Sequence, residues 1–294
     1  MIEVRNVWKE YGEQVVLERL DLKVEKGEFC SMVGASGCGK STFLRLLPGQ
    51  ERVTRGEILL DGKALPGEPD ADRGVVFQRY SVFDHLTVMR NVLLGLELPQ
   101  ARWTGRLFGE RRRSAQDEAV AMLDKVGLGS SLDKYPHQLS GGMQQRLAIA
   151  QALIMKPRVL LLDEPFGALD PGIRKDMHEL LLNLWRESGL TIFMVTHDLK
   201  EGFALGSRVD VTDEGTLNFV THNSTADDYV ELYAPMNTLV ILTAIQHLLD
   251  PHPEYVPKPV KLTLSAADAS VAELCRTSCD ENVRGFINTE RFFL

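Results

Sequence analysis

Eight residues near the start of the chain combine three glycines with a lysine and two serines: Gly34-Ala35-Ser36-Gly37-Cys38-Gly39-Lys40-Ser41. Glycines allow a backbone to curl so that successive N–H groups point into one concave loop, which suits an anion. The lysine adds a positive charge, and a serine hydroxyl can ligate a hard cation. These residue types at this spacing predict chemistry on a phosphate group accompanied by Mg²⁺.

The spacing fits the P-loop pattern G-x-x-x-x-G-K-[ST] without a mismatch. Residues 28–33 before it are typical of a short strand, and residues 42–47 after it of a helix, whose positive N-terminal end favours phosphate. We therefore expect Lys40 to reach the β- and γ-phosphates of a nucleoside triphosphate, and Ser41 to ligate Mg²⁺. An ordinary glycine-rich turn is the alternative interpretation. The candidate nucleotide-binding residues here are Gly34, Ser36, Gly37, Cys38, Gly39, Lys40, Ser41 and Thr42.

A second candidate phosphate site lies about a hundred residues further on, at Ser140-Gly141-Gly142. Ser140 is placed to cap a helix whose apolar residues recur at helical spacing after it. A serine hydroxyl beside two bare glycine N–H groups at a helix start is again suited to phosphate. The chain therefore contains two half-sites for phosphate, far apart in the sequence.

Two adjacent carboxylates, Asp163 and Glu164, end the aliphatic run 159–162, which is typical of a strand buried on both faces. A carboxylate at such a strand end can hold Mg²⁺ through water, which we expect of Asp163. Glu164 would then point toward the γ-phosphate and polarise the attacking water. The alternative is that the two acids only solvate the end of the strand.

Taken in this order, these segments resemble the ATP-binding cassette (ABC) family, over roughly residues 2–220 or about three-quarters of the chain. Residues 139–145, Leu-Ser-Gly-Gly-Met-Gln-Gln, are similar to the signature motif of that family. The resemblance implies that the nucleotide is ATP, bound with Mg²⁺.

The resemblance also implies roles for five more residues. Tyr11 would stack on the adenine, and Gln78 would contact Mg²⁺ and the attacking water. His197 would act as a switch that contacts the γ-phosphate. Gln144 would belong to the nucleotide site, and Asp170 to a loop that crosses a dimer interface. The alternatives are a strand-end tyrosine, a surface glutamine and a structural histidine.

By the same resemblance the chain works as a head-to-tail dimer with a second ATPase subunit, a copy or a related chain. Ser140, Gly141 and Gly142 of one subunit would close over ATP held by the other. The loop at 166–170, Phe-Gly-Ala-Leu-Asp, departs from the serine common in the wider family at Phe166, as importers frequently do. It is similar to ATPases of the nitrate, sulfonate, taurine and bicarbonate importer group.

The partners implied are transmembrane permease subunits and, indirectly, a periplasmic or extracellular solute-binding protein. The chain would lie peripherally on the cytoplasmic face of the cell membrane and drive uptake of a small nitrate-, sulfonate-, taurine- or urea-like solute. Two alternatives stay open. One is a cytosolic ABC ATPase of translation or DNA repair without a membrane partner, and the other is the ATPase of an exporter.

Composition agrees with a globular enzyme: 44% of the 294 residues are hydrophobic and 25% are charged. A formal net charge of −8 argues against a nucleic-acid partner. We expect no transmembrane helix and no signal peptide, because apolar runs are short and the N-terminus alternates like a strand. The four cysteines, Cys30, Cys38, Cys275 and Cys279, do not suggest a disulfide framework.

The predicted fold is an α/β P-loop NTPase with a mainly parallel core sheet, an antiparallel β subdomain and a helical insertion subdomain at about 85–155. This ATPase domain would span 1–221. Residues 222–294 would form a small α+β C-terminal extension that regulates activity or stabilises the dimer.

Overall fold

The computed structural model describes residues 2–34, 37–78, 82–100, 108–198, 201–202, 205–206, 208–213, 216–223, 230–234 and 260–264. The strands are β1 Ile2–Tyr11, β2 Gln14–Val24, β3 Phe29–Gly34, β4 Arg55–Leu60, β5 Lys63–Ala64, β6 Arg73–Val76, β7 Val159–Asp163, β8 Thr191–Thr196, β9 Arg208–Asp213, β10 Thr216–Asn223, β11 Val230–Ala234 and β12 Val260–Leu264. The helices are α1 Lys40–Leu46, α2 Val88–Gln100, α3 Gly109–Lys125, α4 Gly141–Leu153 and α5 Pro171–Ser188.

The strands form two sheets. One is a four-stranded antiparallel sheet in the order β2-β1-β4-β5, and the other has the order β12-β11-β10-β9-β3-β8-β7-β6. In the larger sheet β9, β3, β8, β7 and β6 are parallel to one another. Parallel strands bring their carboxyl ends to one edge, so the residues that follow β3, β6, β7 and β8 lie along that edge. The predicted α/β fold with a parallel core and an antiparallel subdomain is confirmed.

The central strands alternate between two hydrophobic clusters, one on each face of the sheet. Leu161 of β7 and Phe193 of β8 belong to the cluster that contains Phe43 of α1. Their neighbours Leu160 and Ile192 belong to a second cluster, which α4 and α5 complete with Ala148, Ile149, Met177 and Leu181. Because successive strand side chains point to opposite faces, α1 and α4 pack on opposite faces of the sheet.

The helical insertion has a core of its own, in which α2, α3 and α4 contact one another. Its buried residues include Val92, Leu96, Ala119, Leu123 and Leu147. Within the described part of the chain, no helix is both long enough and apolar enough to cross a membrane.

The expected boundary at 221/222 falls inside β10, and β11 and β12 continue the same sheet. β10 pairs antiparallel with β9 and β11, whereas β11 and β12 are parallel. The division into 1–221 and 222–294 stays a prediction. Cys275 and Cys279 lie outside the described residues.

Truncating Leu161 to alanine is expected to lower the free energy of unfolding by about 2–5 kcal/mol, because the side chain is fully buried in β7 and its loss leaves a cavity. The same kind of truncation at exposed Val15 should change it by less than about 0.5 kcal/mol. Urea unfolding monitored by circular dichroism measures both. Equal effects at the two positions would contradict the placement of β7 at the centre of the fold.

Candidate functional site

The glycine-rich loop lies between β3 and α1, where the sequence predicts it. Gly39 has a left-handed backbone with φ 97°, and a Cβ there would lie 2.8 Å from Leu17 Cδ2 and 2.9 Å from the Val16 carbonyl oxygen. The loop therefore passes against β2 at a point that only glycine fits. Lys40 as a residue is almost fully buried, and its Nζ donates to the Gly34 carbonyl oxygen at 2.7 Å, so the side chain folds over the loop. Ser36 lies outside the described residues.

Ser41 and Asp163, two of the three predicted Mg²⁺ ligands, are in contact. The Ser41 hydroxyl donates to Asp163 Oδ1 at 3.0 Å. Burial raises the pKa of Asp163, and the charge of Glu164 adds to this, whereas the Ser41 hydrogen bond opposes it. A hydroxyl and a carboxylate oxygen, brought together beside a phosphate loop, are hard ligands of the kind that Mg²⁺ prefers, so the donor set fits the ion.

Gln78, Glu164 and His197 converge at the carboxyl ends of β6, β7 and β8. Gln78 Nε2 donates to Glu164 Oε2 at 3.2 Å, and His197 Nδ1 lies 3.2 Å from the same oxygen. The Glu164 side chain is 17% exposed and that of His197 is 56% exposed, so the carboxylate is sheltered while the imidazole faces outward. A carboxylate held between an amide and an imidazole is positioned to accept a proton from a water molecule. Gln78 thus lies beside the predicted base.

The backbone of Glu164 is unusual, with φ 42° in the left-handed region. Its N–H donates to the Val195 carbonyl oxygen of β8 at 2.9 Å, which holds this conformation. A non-glycine residue in this region costs of order 1 kcal/mol and persists where its surroundings fix it. This left-handed backbone conformation turns the chain where it leaves β7.

Tyr11 lies at the end of β1 next to the start of α1. Its ring is 45% exposed, its hydroxyl donates to Glu51, and Lys9 Nζ lies 4.7 Å from the ring centroid. Thr42 also interacts with the Tyr11 side chain. The exposed ring is therefore close to the loop that is expected to hold phosphate.

The second candidate phosphate segment forms the start of α4. Ser140 caps the helix, with its hydroxyl accepting from the Met143 N–H at 3.4 Å, and both Ser140 and Gly141 are exposed. Gly142 is buried, and a Cβ there would lie 2.4 Å from Ile173 Cγ2. The Gln144 amide donates to the Pro136 carbonyl oxygen at 2.9 Å, so it is engaged with the turn before the helix.

Asp170 occupies the N-cap position of α5 and is exposed. The other half-site, at Lys40, begins a helix on the opposite face of the sheet from α4. The structure therefore brings together two groups of predicted site residues, Ser41 with Asp163 and Gln78 with Glu164 and His197. Ser140 and Gly141 lie at the exposed start of α4, and Asp170 lies at the exposed start of α5.

Sequence reasoning missed Glu51 and the pair Arg174 and His178. Glu51 accepts the Tyr11 hydroxyl and also pairs with Lys9 at 3.0 Å. Arg174 and His178 lie one helical turn apart on α5, behind the loop that ends at Asp170. The only sequence signal for Arg174 is its position four residues after Asp170, which places both on one side of a helix.

His178 is a half-buried imidazole whose lowered pKa should make stability depend on pH. Burial, the larger cause, and the charge of Arg174 together lower its pKa to about 4, against the opposing charge of Asp198. The ring packs edge-on against Phe166 at 4.7 Å between centroids.

Because the unfolded chain binds a proton at the ordinary pKa of 6.5, the free energy of unfolding should fall as pH drops from 7 to 5. We expect a loss of roughly 1–2 kcal/mol, a figure that allows for solvent screening of a partly exposed group. The His178→Gln variant should lack this component when both proteins are unfolded in urea at each pH. Parallel pH profiles would contradict the burial of a neutral His178.

The fold has a glycine-rich phosphate loop after β3, a Ser41–Asp163 pair beside it and the Glu164 carboxylate directly after β7. Together these features define a P-loop NTPase of the ATP-binding cassette type. The sequence profile described as "ABC transporter" matches residues 17–167, and the chain belongs to this family. The predicted resemblance is confirmed.

Among curated relatives, the nitrate import ATP-binding protein NrtD of Synechocystis sp. is 46% identical over 68% of this chain and 71% of its own length. The sulfate/thiosulfate import ATP-binding protein CysA of Rhodopseudomonas palustris is 44% identical over 74% of this chain. The match spans 61% of CysA, less than two thirds of that relative. The spermidine/putrescine import ATP-binding protein PotA of Mesoplasma florum is 42% identical over 74% of this chain and 60% of its own length.

Solved structures agree with the fold. The ATP-binding cassette MJ0796 bound to ADP and Pi, a dimeric post-hydrolysis state, matches 76% of this chain and 99% of its own with a TM-score of 0.64 and 31% identity.

Proposed function

We propose that this chain is the ATP-hydrolysing subunit of an importer and works as a head-to-tail dimer around ATP. The observation that carries the proposal is the packing of α1 and α4 on opposite faces of one sheet. The phosphate loop begins one of these helices and the Ser140 segment begins the other. Because the two phosphate half-sites face different sides of one chain, each is completed by the other half-site of a second chain. A two-fold dimer does this, since the same pair of surfaces meets at two equivalent places.

Within one subunit the phosphate loop binds the triphosphate through its N–H groups and Lys40, and Tyr11 offers a ring to the adenine. Ser41 and Asp163 would hold Mg²⁺, which supplies positive charge to the phosphates when bound. Glu164 orients and polarises the attacking water. Gln78 and His197, each 3.2 Å from its carboxylate, hold it in place near the γ-phosphate.

The second subunit contributes Ser140, Gly141 and Gly142, whose hydroxyl and N–H groups close over the γ-phosphate. Asp170 and its loop lie at the same interface. The triphosphate contacts both subunits and the diphosphate holds them less well, so ATP favours the closed dimer and hydrolysis opens it. The two subunits are held together more strongly with ATP than after hydrolysis, and this difference supplies the free energy that a membrane partner can use.

The transport role is supported by similarity. NrtD, CysA and the aliphatic sulfonates import ATP-binding protein SsuB 1 of Paraburkholderia xenovorans, 43% identical over 74% of this chain, are named for import of small anions. PotA is named for import of polyamines, so we propose uptake of a small solute, with a nitrate-, sulfonate-, taurine- or urea-like compound preferred. The partners would be transmembrane permease subunits and an external solute-binding protein, with this chain on the cytoplasmic face of the membrane.

The alternatives, a cytosolic ABC ATPase without a membrane partner and the ATPase of an exporter, are less well supported, because these relatives are named for import.

A complementation experiment tests the shared site. Lys40→Ala disables the phosphate loop, whereas Gly141→Asp places a negative charge where the γ-phosphate should bind and suits the helix N-terminus. Each variant alone should be inactive. In an equal mixture half of the dimers are mixed and each has one complete site, so turnover should recover to roughly a quarter of the wild-type value if the sites act independently. An inactive mixture of folded variants would contradict the shared site.

A further inference from the structure

Arg174 lies in the first turn of α5 and is linked to the exposed loop before it. Its N–H donates to the Asp170 carbonyl oxygen at 2.9 Å. Its guanidinium turns back toward the same loop, and Nη2 donates to the Leu169 carbonyl oxygen at 3.3 Å. One side chain therefore contacts the backbone of the segment that precedes the helix.

The same guanidinium reaches the loop that carries His197. Nη1 donates to Asp198 Oδ2 at 3.4 Å, and Nε lies 3.6 Å from Glu201 Oε1. The Arg174 and Asp198 side chains are both 30% exposed and that of Glu201 is 4% exposed, so the contacts are sheltered from water. A planar guanidinium presents several donors in a fixed geometry, so it can contact both loops at once. A lysine ammonium could not reproduce these contacts.

The residues on both sides of His197, Thr196 and Asp198, are held by hydrogen bonds. Thr196, the last residue of β8, donates from Oγ1 to Glu201 Oε2 at 2.8 Å, and the Asp198 N–H donates to Thr196 Oγ1 at 3.0 Å. Burial raises the pKa of Glu201, and the Thr196 hydrogen bond opposes that shift. A displacement of Asp198 is therefore transmitted to His197, whose Nδ1 lies 3.2 Å from Glu164.

We propose that Arg174 is a positioning residue that couples the loop ending at Asp170 to the loop carrying His197. Engagement of a second subunit at Asp170 would move Leu169 and Arg174 and thereby set the position of His197 beside Glu164. The inference rests on the proposed function, in which Asp170 lies at the subunit interface and His197 at the γ-phosphate.

The contact distances of the Arg174 guanidinium make this coupling sensitive to small movements of either loop. The three guanidinium contacts measure 3.3, 3.4 and 3.6 Å, whereas a charge-assisted hydrogen bond is shorter, at about 2.7–2.9 Å. Among the described atoms, Arg174 Nε is buried without a hydrogen-bond partner. A shift of a few tenths of an ångström in either loop would therefore tighten or break contacts of the guanidinium with both.

The test compares Arg174→Gln and Arg174→Lys with Arg186→Gln, a matched control at an exposed position near the other end of α5. We expect both Arg174 variants to lower kcat for ATP by about tenfold to a hundredfold, because small misplacements of catalytic groups have effects of this size. KM should stay within about threefold, since the phosphate loop is untouched. The control should behave as wild type.

A second readout does not depend on activity. The chain has seven histidines, so the imidazole Cε1–H resonances can be resolved by NMR and that of His197 assigned with a His197→Gln variant. We expect the His197 resonance to move in Arg174→Gln and to stay in place in Arg186→Gln.

The outcomes separate the two proposals. A wild-type kcat in Arg174→Gln, or lost activity with an unmoved His197 resonance, would overturn the coupling. If the wild type hydrolyses no ATP, the proposed function fails, and the His197 resonance alone decides the role of Arg174.

Discussion

The Glu164→Gln variant is expected to hydrolyse ATP about 10²–10⁴-fold more slowly than the wild type while still binding it. Glutamine keeps the shape of the side chain and removes the carboxylate that we propose accepts the proton of the attacking water. The neighbours of Glu164 support this assignment, because Gln78 and His197 both lie 3.2 Å from Oε2 and converge on it from adjacent strand ends. ATP binding should persist, since the phosphate loop and Lys40 are unchanged.

Steady-state turnover and calorimetric titration with Mg-ATP measure the two quantities separately. Glu179→Gln, the same substitution at an exposed position on α5, is the matched control and should turn over ATP at the wild-type rate. Normal hydrolysis by Glu164→Gln would remove Glu164 from its proposed role.

The second large effect is expected from Lys40→Ala. Lys40 is almost fully buried and its ammonium donates to the Gly34 carbonyl oxygen at 2.7 Å, so its removal takes away both a bond that shapes the loop and a charge at the proposed triphosphate site. Removing one preorganised hydrogen-bond donor that stabilises the charge developing in the transition state lowers kcat by about 10²–10³-fold. Unlike Glu164→Gln, this variant should also bind ATP more weakly.

Lys40→Arg should not restore activity, because a planar guanidinium does not replace a compact ammonium in this buried position. Lys63→Ala, at an exposed position on β5, is the control and should leave binding and turnover unchanged. Tight ATP binding by Lys40→Ala in calorimetry would contradict the assignment of this loop as the triphosphate site.

Much of the site can be predicted from the sequence because its residues follow strand ends. Lys40, Glu164 and His197 come just after aliphatic runs, and in a parallel sheet such positions meet at one edge. Residue type then restricts the chemistry, since a lysine and a serine after glycines suit a phosphate and a cation. The pairing of Ser41 with Asp163 follows from the same rule.

What the sequence could not predict depends on contacts between distant segments. Arg174 and Glu201 meet through packing of α5 against the end of β8, and neither belongs to a recognisable local motif. The sequence predicts that Gln144 contacts the nucleotide, but it does not show that the Gln144 side-chain amide donates a hydrogen bond to the Pro136 carbonyl oxygen. The continuation of the sheet by β11 and β12 is likewise set by long-range pairing that strand periodicity does not specify.

The central claim is that ATP joins two ATPase subunits, a copy of this chain or a related chain, and the molar mass of Glu164→Gln in Mg-ATP tests the form with two copies most directly. Size-exclusion chromatography with light scattering should show the 32.9 kDa chain at that mass without nucleotide and at twice that mass with Mg-ATP. The Lys40→Ala/Glu164→Gln double variant should stay at the mass of one chain. A Glu164→Gln variant that binds ATP and yet keeps the mass of one chain would contradict a dimer of identical subunits closed around ATP.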